Sequence, residues 1–141
     1  MRTKTITVGI MPYDKFKKYT MAIACGQYKP KKNEPKIWFE SIETISQVLS
    51  TRNVELLKQI ESQKPQSLKE LSEISGRKVS NLSRTLKTFK NYGIVDFLRN
   101  KRRKVPIAKA TSFDIKHGKQ YPSFLFDEDS FQSTNIRAVK K

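Results

Sequence analysis

The side chains best suited to chemistry lie between Lys78 and Lys104. Lys78, Ser80, Asn81, Ser83, Arg84 and Lys87 come first, followed by Arg99, Lys101, Arg102, Arg103 and Lys104. These are hydrogen-bond donors and fixed positive charges, and they suit phosphate oxygens and the edges of nucleic-acid bases. Arg can pair with guanine through two hydrogen bonds and Asn with adenine, each worth ~1–3 kcal/mol of discrimination. Five of the six residues from Arg99 to Lys104 are basic. Such a density repels itself unless an anion is near.

The elements that must position these residues can be read around them. Val79 to Tyr92 has the period of a helix closed by Gly93. At about 100° per residue, Leu82, Leu86 and Phe89 fall on one side, with Val79 at the margin. Opposite lie Ser80, Arg84, Lys87, Thr88 and Asn91, with Asn81 and Ser83 on the flanks. No Asp or Glu occurs anywhere in the helix. A solvated face ordinarily mixes both signs, because Glu–Lys pairs four residues apart support a helix. An acid-free face favours phosphates and base edges over a bland basic helix. Small Ser residues near its start let the helix approach a groove closely.

Before that helix, Ser67 and Glu70 form a capping box for a helix with the apolar stripe Leu68, Leu71 and Ile74. Gly76 supplies the left-handed residue that ends it. After it, Ile94 to Leu98 alternates as a strand, Arg99 to Lys104 forms a basic tip, and a strand returns from Val105. Pro106 places that strand at an edge or a bulge. Helix, glycine turn, helix and basic hairpin in that order make a helix-turn-helix with a wing, which lays its second helix in the DNA major groove. In that geometry Lys78, Lys87 and Lys90 are expected to contact phosphates. The wing lies by the flanking minor groove or backbone.

The rest of the chain reads as support. Ile6, Val8 and Ile10 alternate as a half-buried strand. A helix after Pro12 has Tyr13, Phe16, Thr20 and Ile23 as its core face and ends at Gly26. Gln27 to Lys36 carries two prolines and four lysines and reads as an exposed loop. Ile37 to Phe39 is a short strand. Ser41 caps a helix carrying Ile42, Ile45, Val48 and Leu49. Thr51 caps the next, with Glu55 extending it towards a capping box, and Val54, Leu57 and Ile60 as its core face. Lys64-Pro65 ends it. The expected class is mainly α with a small β-sheet, a winged helix-turn-helix with an N-terminal strand–helix extension. The expected divisions are 1–30 for the extension, 37–116 for the DNA-binding domain, and 117–141 for a C-terminal tail with a dimer or partner contact. In that tail, Tyr121, Phe124 and Phe126 suggest a short strand, and Asp127 to Asp129 a solvated turn.

Composition narrows the function classes. The 141 residues carry 29 Lys+Arg against 13 Asp+Glu, a formal charge of +16 at pH 7. That balance calls for a polyanionic partner, nucleic acid or an anionic surface. One cysteine, Cys25, excludes an internal disulfide framework or a thiolate zinc site, and reads as a buried apolar residue. His117, the only histidine, reads as a surface loop residue. No apolar run reaches a membrane span and nothing at the N-terminus resembles a secretory signal, so a cytoplasmic protein with no membrane partner is expected. With no GxGxxG or GxxxxGK[ST], no paired carboxylates and no nucleophile–base pair, the chain reads as a non-enzyme without cofactor or metal.

Three motifs together resemble a family. Phe39 to Ile45 follows F-x-S-x-E-x-[IL], Leu49 to Leu57 follows LS-x-x-N-x-x-L-L, and Gly76 to Val95 follows GR-x-x-SNLSRTL-K…YG-[IL]-V. They resemble the MarR-like winged-helix regulators, and more narrowly small prokaryotic DNA-binding proteins that act as antitoxin partners of toxin genes. The stretch GIMPYDKFKKYTMAIACGQYKP is similar to theirs as well, so the resemblance spans roughly residues 8 to 116. It implies a sequence-specific regulator of double-stranded DNA, a homodimer repressing its own operon, with Ser80, Asn81, Ser83, Arg84 and Lys87 facing the groove. A cognate toxin is a further implied partner. An RNA-binding or nonspecific nucleoid protein is the third reading, disfavoured because most aromatics fit core positions rather than stacking platforms.

Overall fold

The computed structural model describes residues 4–116, 122, 124 and 125. Five helices and five strands lie among them, with the strands in two small sheets. The first, β1 (Thr5–Ile10), has parallel strands on both sides: β2 (Ile37–Phe39) and β5 (Ser112–Lys116). Register sets which side chains share a face. Val8 pairs with Ile37, Ile10 with Phe39 and Ile6 with Phe113, so one face of the sheet is apolar throughout. That face packs into the main cluster, where Val8 and Phe39 are fully buried beside Leu57, Leu71, Leu82, Leu86 and Phe89.

The other face of the sheet carries α1 (Tyr13–Ala24). Gly9 pairs with Trp38 there. A Cβ on Gly9 would stand 2.6 Å from the Trp38 ring and 2.8 Å from Pro35, so only glycine fits beneath them. Met11, Tyr19 and Leu125 are buried in this second cluster, with Phe16, Ile23, Tyr28, Trp38 and Phe124 packed against them. Glu34 ties the loop after α1 to the cluster. It accepts hydrogen bonds from the Tyr19 hydroxyl at 2.9 Å, from the Tyr28 hydroxyl, and from the Lys31 N–H at 3.1 Å. Burial and the Glu34 carboxylate push the Tyr19 phenol up to about 12.

This layer differs from the sequence expectation in three ways. The buried face of α1 runs through Tyr19 and Ala22, whereas Tyr13 is 64% exposed and Thr20 is exposed. Both stripes are helical in period, and only the position of Trp38 and Tyr28 selects between them. Cys25 is exposed, because it lies past the last turn of α1 where nothing covers it. Phe124 and Leu125 take helical rather than strand geometry, with Phe124 5.1 Å from Tyr28. His117, Tyr121, Phe126 and Asp127 to Asp129, with the rest of the expected tail apart from 122, 124 and 125, lie outside the described residues.

On the apolar face of the sheet, α2 (Ile42–Val48) begins at Ser41, whose side chain accepts from the Thr44 N–H. α3 (Thr51–Gln63) begins one residue earlier than expected. Ser50 is its cap, accepting from the Asn53 N–H at 3.3 Å, and Thr51 is already helical. With Ser50 as cap the third helical residue is Asn53, so Glu55 stands outside a capping box, and the Asn53 amide turns back to the end of α2. Its Nδ2 donates to the Val48 carbonyl at 3.1 Å and the Gln47 carbonyl at 3.4 Å. α4 (Leu68–Ser75) starts at Ser67, whose Oγ accepts from the Glu70 N–H at 3.1 Å. α5 (Val79–Tyr92) and the hairpin β3 (Val95–Asn100) with β4 (Arg103–Ala108) complete the layer. The N-terminus of the described chain is joined to this hairpin. Lys4 Nζ lies 3.0 Å from Glu61 of α3 and donates to the Ala108 carbonyl at 3.1 Å.

Candidate nucleic-acid interface

α5 is anchored by its apolar side. Leu82, Leu86 and Phe89 are all fully buried, and Val79 at the margin is 44% exposed. Gly76 and Gly93, at φ 74° and 83°, make the left-handed turns before and after the helix. A side chain at either would strain the backbone. The face turned outward carries Ser80, Asn81, Ser83, Arg84, Lys87 and Asn91, all exposed, as is Lys78 at the helix start. Thr88 is half-buried and its hydroxyl donates back to the Arg84 carbonyl at 3.2 Å. Arg84 borders an open depression of about 330 Å³ between α5 and the α2–α3 junction, lined also by Gln47, Asn53, Asn81, Thr85 and Thr88.

Two side chains near this face are already engaged. Lys90, expected as a phosphate contact, sits 2.9 Å from Asp96 Oδ1. That bond and the Phe97 N–H hold the Asp96 carboxyl below the usual carboxylate range. The second is Arg77, to which the sequence pattern assigns no role. Its guanidinium ties α5 to α3: Nε donates to Asn81 Oδ1 at 2.8 Å, Nη1 to Asn53 Oδ1 at 3.1 Å, and Nη2 to Thr85 Oγ1 at 3.0 Å. Its backbone is held too, with the N–H donating to Ser75 Oγ at 3.2 Å and the carbonyl accepting from Ser72 Oγ at 2.6 Å. Burial, and secondarily the neighbouring Arg52, lower its pKa. The GR pair at Gly76-Arg77 was visible in the sequence, but Asn53 lies 24 residues away and nothing local points to it.

The hairpin is built differently from the sequence expectation. The strands run on to Asn100 and restart at Arg103, so the turn is Lys101-Arg102 alone, with Lys101 at φ 59°. A run of charges does not break a strand when each backbone group finds a partner across the ladder. Arg99 consequently stands directly opposite Lys104, and Asn100 opposite Arg103. Like charges placed so destabilise the pair. Arg99, Lys101, Arg102, Arg103 and Lys104 are all exposed. None has a carboxylate partner among the described residues. Lys104 alone has a ring contact, its ammonium 5.7 Å from the centre of Phe97.

Among the described residues no cluster of His, Cys, Asp and Glu could hold a metal ion, and no helix is long and apolar enough to cross a membrane. Residues 48–115 match the model of a protein family described as HVO_A0114. The chain is also similar to a solved structure described as the predicted DNA-binding transcriptional regulator from E. coli. The two are 14% identical, with a TM-score of 0.41, and the match covers 80% of this chain and 97% of that one. No curated protein matches the chain.

Proposed function

We propose that this chain is a MarR-like winged helix-turn-helix regulator that binds double-stranded DNA and represses its own operon as a homodimer. The observation that carries the reading is the exposed, acid-free face of α5 followed by a hairpin tip whose cations have no carboxylate partner among the described residues. In it α5 enters the major groove. Ser80, Asn81, Ser83 and Arg84 meet base edges, and Lys78 and Lys87 meet phosphates. Arg99, Lys101, Arg102, Arg103 and Lys104 form the wing against the flanking backbone. A dimer calls for an inverted repeat with half-sites about one helical turn apart, ~34–36 Å.

The test is titration of a labelled fragment of the chain's own promoter, competed with unrelated duplex and with RNA. Preferential retention against both competitors is expected. Equal displacement by unrelated duplex would replace the regulator by a nonspecific nucleoid protein, and preferential displacement by RNA would replace it by an RNA binder.

A second reading, an antitoxin that neutralises a cognate toxin and uses DNA binding for autoregulation, has its own observation. Tyr13 and Met21, eight residues apart on one stripe of α1, are 64% and 62% exposed. Two large apolar groups on the layer away from α5 suit a protein partner. Co-purification with the product of the adjacent gene, lost in a Tyr13→Ser, Met21→Ser double variant that still binds DNA, is the expected outcome. Retention of the partner by that variant would move the contact off α1.

A further inference from the structure

Asn81 does not stand on α5 as an unconstrained amide. Its Oδ1 accepts the Arg77 Nε–H at 2.8 Å, and Arg77 is held in turn by Asn53 and Thr85. An Arg has five N–H donors and no acceptor. The group of Asn81 facing Arg77 must therefore be the oxygen, and the amide orientation follows from the chemistry of its partner rather than from an assignment. The group left for solvent is the NH2. Asn81 is itself exposed, so those two N–H bonds are available to a ligand.

We infer that Arg77 is a positioning residue that holds the Asn81 oxygen towards itself and presents the amide NH2 as the group that reads base edges. This rests on the DNA-binding reading proposed above. Adenine recognition by Asn uses both its groups, the oxygen accepting from N6 and the amide donating to N7. With the oxygen turned to the guanidinium and one of its two lone pairs taken, that two-bond match is disfavoured. What Asn81 offers is recognised by acceptors alone: guanine N7 and O6, adenine N7 or thymine O4. Cytosine presents only its N4 amino donor in the major groove. Asn81 therefore favours guanine, which has two acceptors, and rejects cytosine at the base it meets.

The clamp also links that amide to the rest of the fold. Asn53, which receives Nη1, donates to the last carbonyls of α2, so one planar guanidinium joins the end of α2, the start of α3 and the exposed side of α5. No carboxylate balances it among the described residues, since all three of its side-chain partners are neutral oxygens. A positive charge behind the carbonyl polarises the amide and strengthens its outward N–H donors.

Two measurements test this separately from the DNA reading. The first uses the protein without DNA. The NMR signal of the Arg77 Nε proton should exchange with water at least tenfold more slowly than that of Arg102, and Asn81→Ala should remove the protection. Exchange as fast as that of Arg102 overturns the clamp whatever the protein binds.

The second is selection from a randomised duplex library. The parent should enrich a motif in which one position favours guanine and excludes cytosine. Arg77→Lys keeps the charge but cannot span three oxygens. It should raise the preference for adenine over guanine at that position while the salt dependence of binding stays unchanged. Asn81→Asp keeps an oxygen for Arg77 and turns a second oxygen outward, and should shift the preference at the same position towards cytosine by roughly tenfold. An unchanged motif in both variants overturns the inference and leaves the DNA reading standing. A parent that enriches no motif overturns both.

Discussion

α5 and the hairpin that follows it are both basic and both exposed, and they are held in opposite ways. α5 is buried along one side by Leu82, Leu86 and Phe89, and of its other side chains Asn81 and Thr85 are held by Arg77 and Lys90 by Asp96. The hairpin tip projects Arg99, Lys101, Arg102 and Arg103 with no carboxylate partner among the described residues, in a two-stranded ladder that sets like charges opposite each other. The difference teaches a division of labour. A side chain held in one orientation can discriminate between base edges, because the wrong base leaves its donors unpaired. A repelling cluster on a narrow hairpin gains from any phosphate, whatever the sequence. In the proposed complex α5 supplies identity, and the hairpin supplies affinity and its dependence on salt.

The contrast can be broken most sharply by stability. Phe89→Ala removes a fully buried ring behind α5 and is expected to cost ~3–5 kcal/mol of unfolding free energy. Arg102→Ala with Arg103→Ala should change it by no more than about 0.5 kcal/mol, as for ordinary surface substitutions. Urea denaturation followed by circular dichroism compares them. A hairpin-tip variant as costly as Phe89→Ala would mean that the tip is part of the structural core.

Binding separates the regions next. Arg84→Ala is expected to reduce discrimination between preferred and random duplex by ~1–3 kcal/mol, with the salt slope falling by at most about one. The Arg102→Ala, Arg103→Ala pair should weaken every duplex alike and flatten the slope of log K against log[salt] by about two. Fluorescence anisotropy over a salt series distinguishes them. If Arg84→Ala bound preferred and random duplex as the parent does, α5 would lose its role as the reading element.

The smallest effect concerns an ion pair joining the regions, Lys90 to Asp96. The Asp96 carboxyl is held below its ordinary range, chiefly by the Lys90 hydrogen bond and then by the Phe97 N–H. A depressed folded-state pKa contributes stability that is present above the unfolded value and lost as pH falls through the folded one. Asp96→Asn should therefore leave a slightly shallower acid limb below about pH 4, read by thermal melts from pH 2 to 7. The pair is exposed, so the change should be small. An acid limb identical to the parent's would show that it contributes nothing.

How much of this was legible depends on the range over which each feature is decided. Ser67 with Glu70, Gly76, the stripe Leu82–Leu86–Phe89 and Gly93 lie within a few residues of what they control, and helix caps and turns need nothing more distant. The cap of α3 slipped by one because Ser50 and Thr51 are both good caps. What selects Ser50 is Asn53, whose amide reaches back to Gln47 and Val48. The face of α1 depended on Trp38, Tyr28 and Leu125, which no helical period encodes. Arg77 is not legible at all, because a lone Arg in a basic chain has no local signal of being held.

The amino-acid sequence by itself determined the order helix, glycine turn, helix and hairpin, the sidedness of α5, and the excess of positive charge. All three are set by composition and by periods shorter than two helical turns. Only the tertiary structure decided that β1 lies between β2 and β5, pairing Thr5 with Ser112, and that Arg77 turns the oxygen of Asn81 inward. Strand neighbours and hydrogen-bond partners far apart in the chain are chosen by which backbone edges and side-chain oxygens the collapsed core brings together, and that choice is made by the whole fold at once.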